Sequence, residues 1–256
     1  MIKAVFFDID GTLVSFKTHT TPASTLKALD KLRARGIRIF IATGRHELLI
    51  DNVDKSLFDG IVSLNGQCVR AGGDIIHTVA MPAEDAAAAV KFCTETGIAA
   101  IFEHADSICL NTVTETARKG AALIALRLPE PADISHAAEK PVLQLIFFGD
   151  TQQERELMKH MPSCLTTRWT PLLCDVIPHG GGKHTGIQRI LDMYGITREE
   201  CMAFGDGEND ITMLQYAGTG IAMGNADHEV KAAADYVTTG VDSGGVAKAL
   251  RRFGLI

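Results

Sequence analysis

The sequence predicts an α/β fold: a Rossmann-like, doubly wound parallel sheet as the core, with a second, α+β domain inserted into it. Two observations lead to this prediction. Short apolar runs alternate with helical segments over the first 80 residues, and the same alternation returns after residue 183. Between these regions, neighbouring strands are separated by short turns, which is typical of an antiparallel sheet.

The N-terminal region supplies the first strands of the predicted core. Residues 4–7 (AVFF) form a wholly apolar run, as expected for a strand that is covered on both faces. The elements that follow alternate in type: a helix over roughly 22–35, a strand at 37–43, a helix near 46–57 and a strand at 61–65. A hairpin joined at Gly72-Gly73 closes this part.

The C-terminal region resumes the alternation with a helix at 184–194 and a strand at 201–206. We predict a core domain made of residues 1–81 and 183–256, and an inserted domain of residues 82–182. Pro82 and the glycines at 180–182 are the predicted hinges, because proline and glycine interrupt regular structure.

The composition excludes several classes of partner. The 25 basic and 31 acidic residues give a net charge of −6, and no long basic run occurs, so neither nucleic acid nor an anionic membrane is expected to bind. No apolar window is long enough for a membrane span, and the N-terminus lacks the pattern of a signal peptide. We therefore expect a cytoplasmic protein with six reduced cysteines.

Two aspartates follow the first predicted strand. In open parallel sheets, ligands bind outside the carboxyl ends of the strands, which is where Asp8 and Asp10 stand. Residues two apart at that exit point the same way, and two carboxylates close together need a cation or a shared proton. A hard cation such as Mg²⁺ suits these oxygen ligands. The alternative is a capped turn without a ligand.

Other strand exits carry complementary groups. The strand at 201–206 runs into Asp206 and Asp210, of which Asp210 could also be a helix N-cap. Thr43-Gly44 offers a hydroxyl and a backbone donor at the start of a predicted helix, a combination that favours an anion. Lys183 follows three glycines and can bring a positive charge to a phosphoryl group.

Four motifs together resemble the haloacid dehalogenase superfamily of phosphohydrolases, and in particular its Cof-type branch (subfamily IIB), which carries a large C2B-type cap. DIDGTL at 8–13 is similar to the first motif of the family, and Thr43 in IATGR to the second. Lys183 takes the third position, and GDGENDITML at 205–214 matches the fourth. Gly182 departs from the pattern, because the branch often has serine before the lysine.

The resemblance implies roles for these residues in a Mg²⁺-dependent phosphatase acting on a small phosphorylated metabolite, with sugar phosphates as the expected substrates. Asp8 would attack phosphorus and form an aspartyl phosphate, and Asp10 would serve as acid and base. Mg²⁺ would be held by Asp8, the backbone carbonyl of Asp10, and Asp206. Asp210 would be a further ligand or lie beside the ligands. Thr43, Gly44 and Lys183 would bind the phosphoryl oxygens, and Asn209 would orient Lys183 or contact the phosphate.

The predicted cap is where substrate specificity is expected. Its candidates are Arg168, Trp169, Asp175 and His179, together with Asn65 of the core. Each also has a purely structural interpretation: Trp169 as part of the cap core, Arg168 with Asp175 as a cross-strand pair, and Asn65 as a turn residue. The sequence leaves the oligomeric state open.

Two alternative functions remain open. One is a phosphomutase of the same fold, similar to phosphomannomutase, in which the aspartyl phosphate returns its group to a sugar. The other is a receiver-like switch without enzymatic activity, phosphorylated on a strand-end aspartate only to signal; such modules are about half as long and lack a cap.

Overall fold

The computed structural model describes residues 1–124 and 126–256, apart from the side chain of Trp169. The chain divides into two compact units: the core, Met1–His77 with Gly182–Ile256, and the cap, Thr78–Gly181. The sequence-based limits at residues 82 and 182 stay a prediction of where each domain ends. No helix among the described residues is both long enough and apolar enough to span a membrane.

Strands and helices follow one another in the described part of the chain largely as the sequence predicts. The strands are β1 (Ala4–Phe7), β2 (Arg38–Ala42), β3 (Gly60–Ser63), β4 (Cys68–Ala71), β5 (Asp74–Thr78), β6 (Ala100–Glu103), β7 (Ile108–Leu110), β8 (Gln144–Phe147), β9 (Cys164–Thr170), β10 (Leu173–Pro178), β11 (Cys201–Gly205), β12 (Thr219–Ala222) and β13 (Tyr236–Val237). The helices are α1 (Ala23–Ala34), α2 (Ala83–Thr96), α3 (Glu115–Leu123), α4 (Thr151–Met158), α5 (Lys183–Tyr194), α6 (Ile211–Tyr216), α7 (His228–Ala232) and α8 (Gly245–Arg252).

The core contains a sheet with the strand order β13-β12-β11-β1-β2-β3-β4-β5. Neighbouring strands from β13 to β3 are parallel, and β4 is antiparallel to β3. The order reverses between β1 and β11, because the chain adds β2 and β3 on one side and later returns to build the other. Ligands bind at such a reversal, outside the carboxyl ends of the two strands.

Both faces of this sheet are covered by helices. Val5 and Phe7 of β1 belong to one buried cluster, which includes residues of α1 and α8. Ala4 and Phe6 belong to a second cluster, which includes residues of α5, α6 and α7. Because side chains alternate along a strand, burial on both faces requires the wholly apolar run at 4–7. The predicted doubly wound α/β core is confirmed.

The cap contains a sheet with the strand order β7-β6-β8-β10-β9, in which all neighbours are antiparallel. Residues of α2 and α4 pack into one buried cluster with this sheet, and residues of α3 pack into another. The inserted region therefore has the predicted α+β architecture.

The helix predicted near 46–57 is wrong. Two single 3₁₀ turns, Glu47–Leu49 and Lys55–Leu57, stand there instead. The side chains of His46 and Asp54 each accept a hydrogen bond from the backbone N–H two residues further on, so they cap separate turns. Such local bonds compete with a continuous helix.

Glu103 at the end of β6 is a buried acid in the cap. Its Oε2 accepts a hydrogen bond of 2.8 Å from Nε2 of Gln144, whereas its buried Oε1 has no hydrogen-bond partner among the described residues. Burial, and then the charge of Asp175, raises the pKa of Glu103 well above its usual value. The folded state therefore holds a proton here that the unfolded chain releases at lower pH.

We expect Glu103→Gln to become more stable than the wild type as pH rises. The folded-state pKa of Glu103 is raised, so the wild type loses stability as pH rises above about 4.5 and through that folded-state pKa. Each pH unit in that window changes the free energy of unfolding by about 1.4 kcal/mol. Thermal unfolding from pH 5 to pH 8 measures the difference, with Glu95→Gln at an exposed position as control. A Tm difference independent of pH would contradict this prediction.

Candidate active site

Lys183 stands at the centre of the strand exits, fully buried, as the first residue of α5. Its Nζ donates hydrogen bonds of 2.6 Å to Oδ1 of Asp8 and of 2.6 Å to Oδ1 of Asp210. Burial alone would lower the pKa of Lys183, but the charges of Asp210 and Asp8 outweigh it and raise that pKa. The ammonium therefore stays charged inside the protein.

Asp8, Asp206 and Asp210 form an acidic cluster around this ammonium. One carboxylate oxygen from each lies within 4.8 Å of the other two. Burial, followed by the charge of Asp210, raises the pKa of Asp8 to about 7. Burial, followed by the charge of Asp8, raises the pKa of Asp206 well above its usual value. One ammonium offsets one of three carboxylates, so the cluster has the charge and the oxygen donors to hold a cation.

Asp206 is held from both sides. Its Oδ1 accepts a hydrogen bond of 2.9 Å from the hydroxyl of Thr12, and its Oδ2 accepts one of 2.9 Å from Nδ2 of Asn225. Gly11 has a φ of 82°, and a Cβ there would overlap with the Asp206 carboxylate. Glycine is therefore required at this position both for its left-handed conformation and for the close approach.

Asp210 fixes the turn that follows β11. Its Oδ2 accepts hydrogen bonds of 2.8 and 2.9 Å from the backbone N–H groups of Asp206 and Gly207. Although α6 starts at the next residue, the Asp210 side chain makes no capping bond to that helix. The interpretation of Asp210 as the N-cap of α6 is therefore wrong, since its oxygens serve Lys183 and the loop.

Thr43 and Gly44 follow β2 directly. Thr43 is buried, and its hydroxyl oxygen accepts a hydrogen bond of 3.1 Å from the backbone N–H of Arg45. Gly44 is half-buried. The helix expected to begin at this exit is absent from the described residues, where a single 3₁₀ turn starts at Glu47. Any anion here would meet a hydroxyl and loop N–H groups.

Asp10 lies beside Arg45. Nε of Arg45 donates to Oδ2 of Asp10 at 2.7 Å, and Nη2 donates to Oδ1 at 2.6 Å. Both carboxylate oxygens are therefore engaged by one guanidinium group, the strongest arrangement for such a pair.

Asn65 and Asn209 contact each other across two loops. Nδ2 of Asn209 donates a hydrogen bond of 2.9 Å to Oδ1 of Asn65. Asn65 also forms a tight turn after β3, in which Leu64, Asn65 and Gly66 all have positive φ angles. A Cβ on Gly66 would overlap with the carbonyl oxygen of Gly182, the residue before Lys183. Asn65 is thus a turn residue that also belongs to the core site.

The cap candidates are engaged mainly within the cap. Nε of Arg168 donates a hydrogen bond of 2.6 Å to Oε2 of Glu154. The predicted cross-strand pair of Arg168 and Asp175 is wrong, because Arg168 lies opposite Cys174 and Asp175 opposite Thr167. Of the other candidates, Asp175 is buried, His179 is exposed, and the side chain of Trp169 lies outside the described residues.

Sequence reasoning assigned no role to Thr12, Arg45 or Asn225. Thr12 lies in the motif DIDGTL and Arg45 in the motif IATGR, close to residues with predicted roles. Asn225 follows β12, so the strand-exit rule applied to one further strand would have found it.

The family model for haloacid dehalogenase-like hydrolases matches residues 5–250, and the chain belongs to this family. It is an enzyme, a phosphatase of the haloacid dehalogenase superfamily. YkrA of Bacillus subtilis (strain 168), whose phosphatase name is provisional, is 33% identical over 99% of this chain and 98% of its own.

Two solved structures resemble the chain over nearly its whole length. One, from a study of a trigonal-bipyramidal intermediate in a phosphoryl-transfer superfamily, is 41% identical over 100% of both chains, with a TM-score of 0.94. The other, the subclass IIB sugar phosphatase BT4131, is 41% identical over 99% of this chain and 100% of its own, with a TM-score of 0.92.

Proposed function

We propose that the protein hydrolyses small phosphomonoesters, with sugar phosphates as its substrate class, in a Mg²⁺-dependent reaction that forms an aspartyl phosphate on Asp8. The observation that carries this proposal is the buried cluster in which Asp8 contacts Lys183 beside Asp206 and Asp210. A nucleophile, a fixed positive charge and a set of oxygen donors meet there, which is what phosphoryl transfer requires.

The donor set fits Mg²⁺, which takes few carboxylates and keeps other positions for phosphate and water. Asp8, Asp206 and the backbone carbonyl of Asp10 are the proposed ligands. Asp210 is proposed to lie behind them, because its two oxygens accept hydrogen bonds from Lys183 and from two backbone N–H groups. When bound, the ion would supply charge neutralisation for the phosphoryl group.

The residues of the chain divide the chemistry between them. A carboxylate oxygen of Asp8 attacks phosphorus, and the ester oxygen leaves with its bonding electrons and takes a proton from Asp10. Asp10 then removes a proton from water, whose oxygen attacks phosphorus and breaks the bond to Asp8. Throughout, Thr43, Gly44 and Lys183 bind the phosphoryl oxygens. Asn209, held by Asn65, would contact the phosphate or orient Lys183.

Similarity to the sugar phosphatase BT4131 supports the proposed substrate class. Polar cap side chains such as Arg168 and Asp175 remain candidates for contacts with the leaving group. Arg168 would have to keep or exchange its bond to Glu154. A small phosphorylated metabolite is thus the proposed partner, and the cytoplasm the proposed location.

A substrate panel with controlled metal tests this function. We expect phosphate release from hexose and pentose phosphates in Mg²⁺, loss of release in excess EDTA, and recovery when Mg²⁺ is restored. Release that continues in EDTA would contradict the role of the metal, and preferred release from other phosphomonoesters would contradict the substrate class. Interconversion of sugar phosphate isomers without release of phosphate would show a phosphomutase instead.

A further inference from the structure

The ion pair between Arg45 and Asp10 engages both oxygens of the carboxylate. Two parallel hydrogen bonds of 2.7 and 2.6 Å join the guanidinium group to the carboxylate. The Arg45 side chain is 14% exposed and that of Asp10 is 24% exposed. Bidentate pairs fix orientation as well as distance, which a single charge such as lysine does not.

Arg45 is itself fixed at other points. Its Nη1 donates a hydrogen bond of 3.3 Å to the carbonyl oxygen of Leu49, and its backbone N–H donates to the hydroxyl oxygen of Thr43. Arg45 therefore links the loop after β2 to the loop after β1. The direction of the Asp10 carboxylate follows from this linkage, because both of its oxygens face the guanidinium group.

We propose that Arg45 is a positioning residue for Asp10, holding its carboxylate where it exchanges a proton with the ester oxygen and then with water. The proposal rests on the proposed function, in which Asp10 is the acid and base. A purely structural role for the pair would lower turnover of every ester alike, whereas positioning of Asp10 predicts a loss that depends on the leaving group. Direct binding of phosphate explains the pair less well, because Asp10 occupies the fork of the guanidinium group.

Comparing two esters with different leaving groups distinguishes positioning of Asp10 from a merely structural role of Arg45, which would affect both esters equally. An alkoxide needs a proton as it leaves phosphorus, whereas p-nitrophenolate is stable as an anion and needs none. A misplaced Asp10 therefore slows transfer from an alkyl ester more than transfer from p-nitrophenyl phosphate. The ratio of the two kcat/KM values isolates this first transfer, because the later attack of water on the phosphorus of the aspartyl phosphate is common to both substrates.

The test compares Arg45→Met with the wild type in Mg²⁺, using a hexose phosphate and p-nitrophenyl phosphate. We expect kcat/KM for the hexose phosphate to fall about 10- to 100-fold further than that for p-nitrophenyl phosphate, within the range of general acid catalysis. Arg45→Lys keeps the positive charge but cannot form the two parallel hydrogen bonds. We expect a smaller fall in kcat/KM for this variant, again larger for the hexose phosphate than for p-nitrophenyl phosphate. Arg38→Met, which breaks the pair with Asp59 at the opposite end of β2, should leave the ratio unchanged.

A double variant assigns the effect to Asp10. In the Asp10→Asn background, Arg45→Met should change the ratio no further, because the acid is already missing. Equal losses for both esters, in Arg45→Met or in a folded Arg45→Lys, would overturn the proposal. The proposal would also be overturned if Arg45→Met, in the Asp10→Asn background, still lowered kcat/KM for the hexose phosphate more than for p-nitrophenyl phosphate, by as much as in the wild type. Failure of the proposed function would appear separately, as wild-type turnover that does not depend on Asp8.

Discussion

Asp8→Asn is expected to abolish phosphate release, lowering kcat by roughly 10⁴-fold or more, as removal of a catalytic nucleophile does. An amide oxygen cannot form the acyl phosphate with phosphorus, although the side chain keeps its size and position. The fold should survive, because burial and the charge of Asp210 already disfavour an ionised Asp8, whose pKa is raised to about 7. A neutral side chain therefore suits the site.

Steady-state phosphate release and thermal unfolding test this prediction together. We expect a Tm equal to or above that of the wild type, combined with the loss of turnover. Asp59→Asn, which alters a carboxylate that pairs with Arg38 away from the acidic cluster, is the matched control for activity. Turnover by Asp8→Asn near the wild-type rate would show that another group carries the phosphoryl group.

Lys183→Met is expected to cost both stability and activity. Its ammonium is fully buried and donates to Asp8 and Asp210, so its removal leaves buried carboxylates without their counter-charge. Breaking a buried ion pair by removing one partner destabilises proteins by about 3–5 kcal/mol. We also expect kcat to fall by about 10²- to 10³-fold, the usual cost of removing a group that stabilises charge in the transition state.

Denaturant unfolding without metal measures the loss of stability for Lys183→Met. Adding Asp210→Asn should recover part of it, because that change removes one of the carboxylates left unpaired. If Mg²⁺ binds the same carboxylates, adding it should also reduce the difference in free energy of unfolding between Lys183→Met and the wild type. A Lys183→Met variant as stable as the wild type would contradict the view that this ammonium holds the acidic cluster together.

The sequence is informative about the site wherever a side chain acts directly at a strand exit. Asp8 and Asp206 each follow a predicted strand of a parallel sheet, so the rule for strand exits places both at the same edge; the structure adds that their strands are neighbours at the reversal of the sheet order. The bond between Arg45 and Asp10 could not be predicted, since spacing along the chain does not specify which loop side chains meet. The predicted pair of Arg168 and Asp175 failed for a related reason: a register shift in the β9–β10 hairpin changes which residues lie opposite each other.

The helical pattern near residues 46–57 led to a wrong prediction, because local hydrogen bonds compete with a helix there. Residues 46–57 contain apolar positions at helical spacing, but His46 and Asp54 supply capping groups within the segment, and single turns result. For β1, by contrast, local and long-range requirements agree. Its apolar run suits a strand covered by helices on both faces, and the structure builds that strand.

The close packing of Gly66 against Gly182 bears on where the chain re-enters the core. The left-handed turn after β3 touches the carbonyl of Gly182, which fixes where the chain re-enters the core one residue before the lysine. The inserted segment is thus spliced into a frame whose re-entry point the core itself defines. Because Gly66 and Gly182 both belong to the core, the position at which Lys183 begins α5 is set by a contact that involves no cap residue.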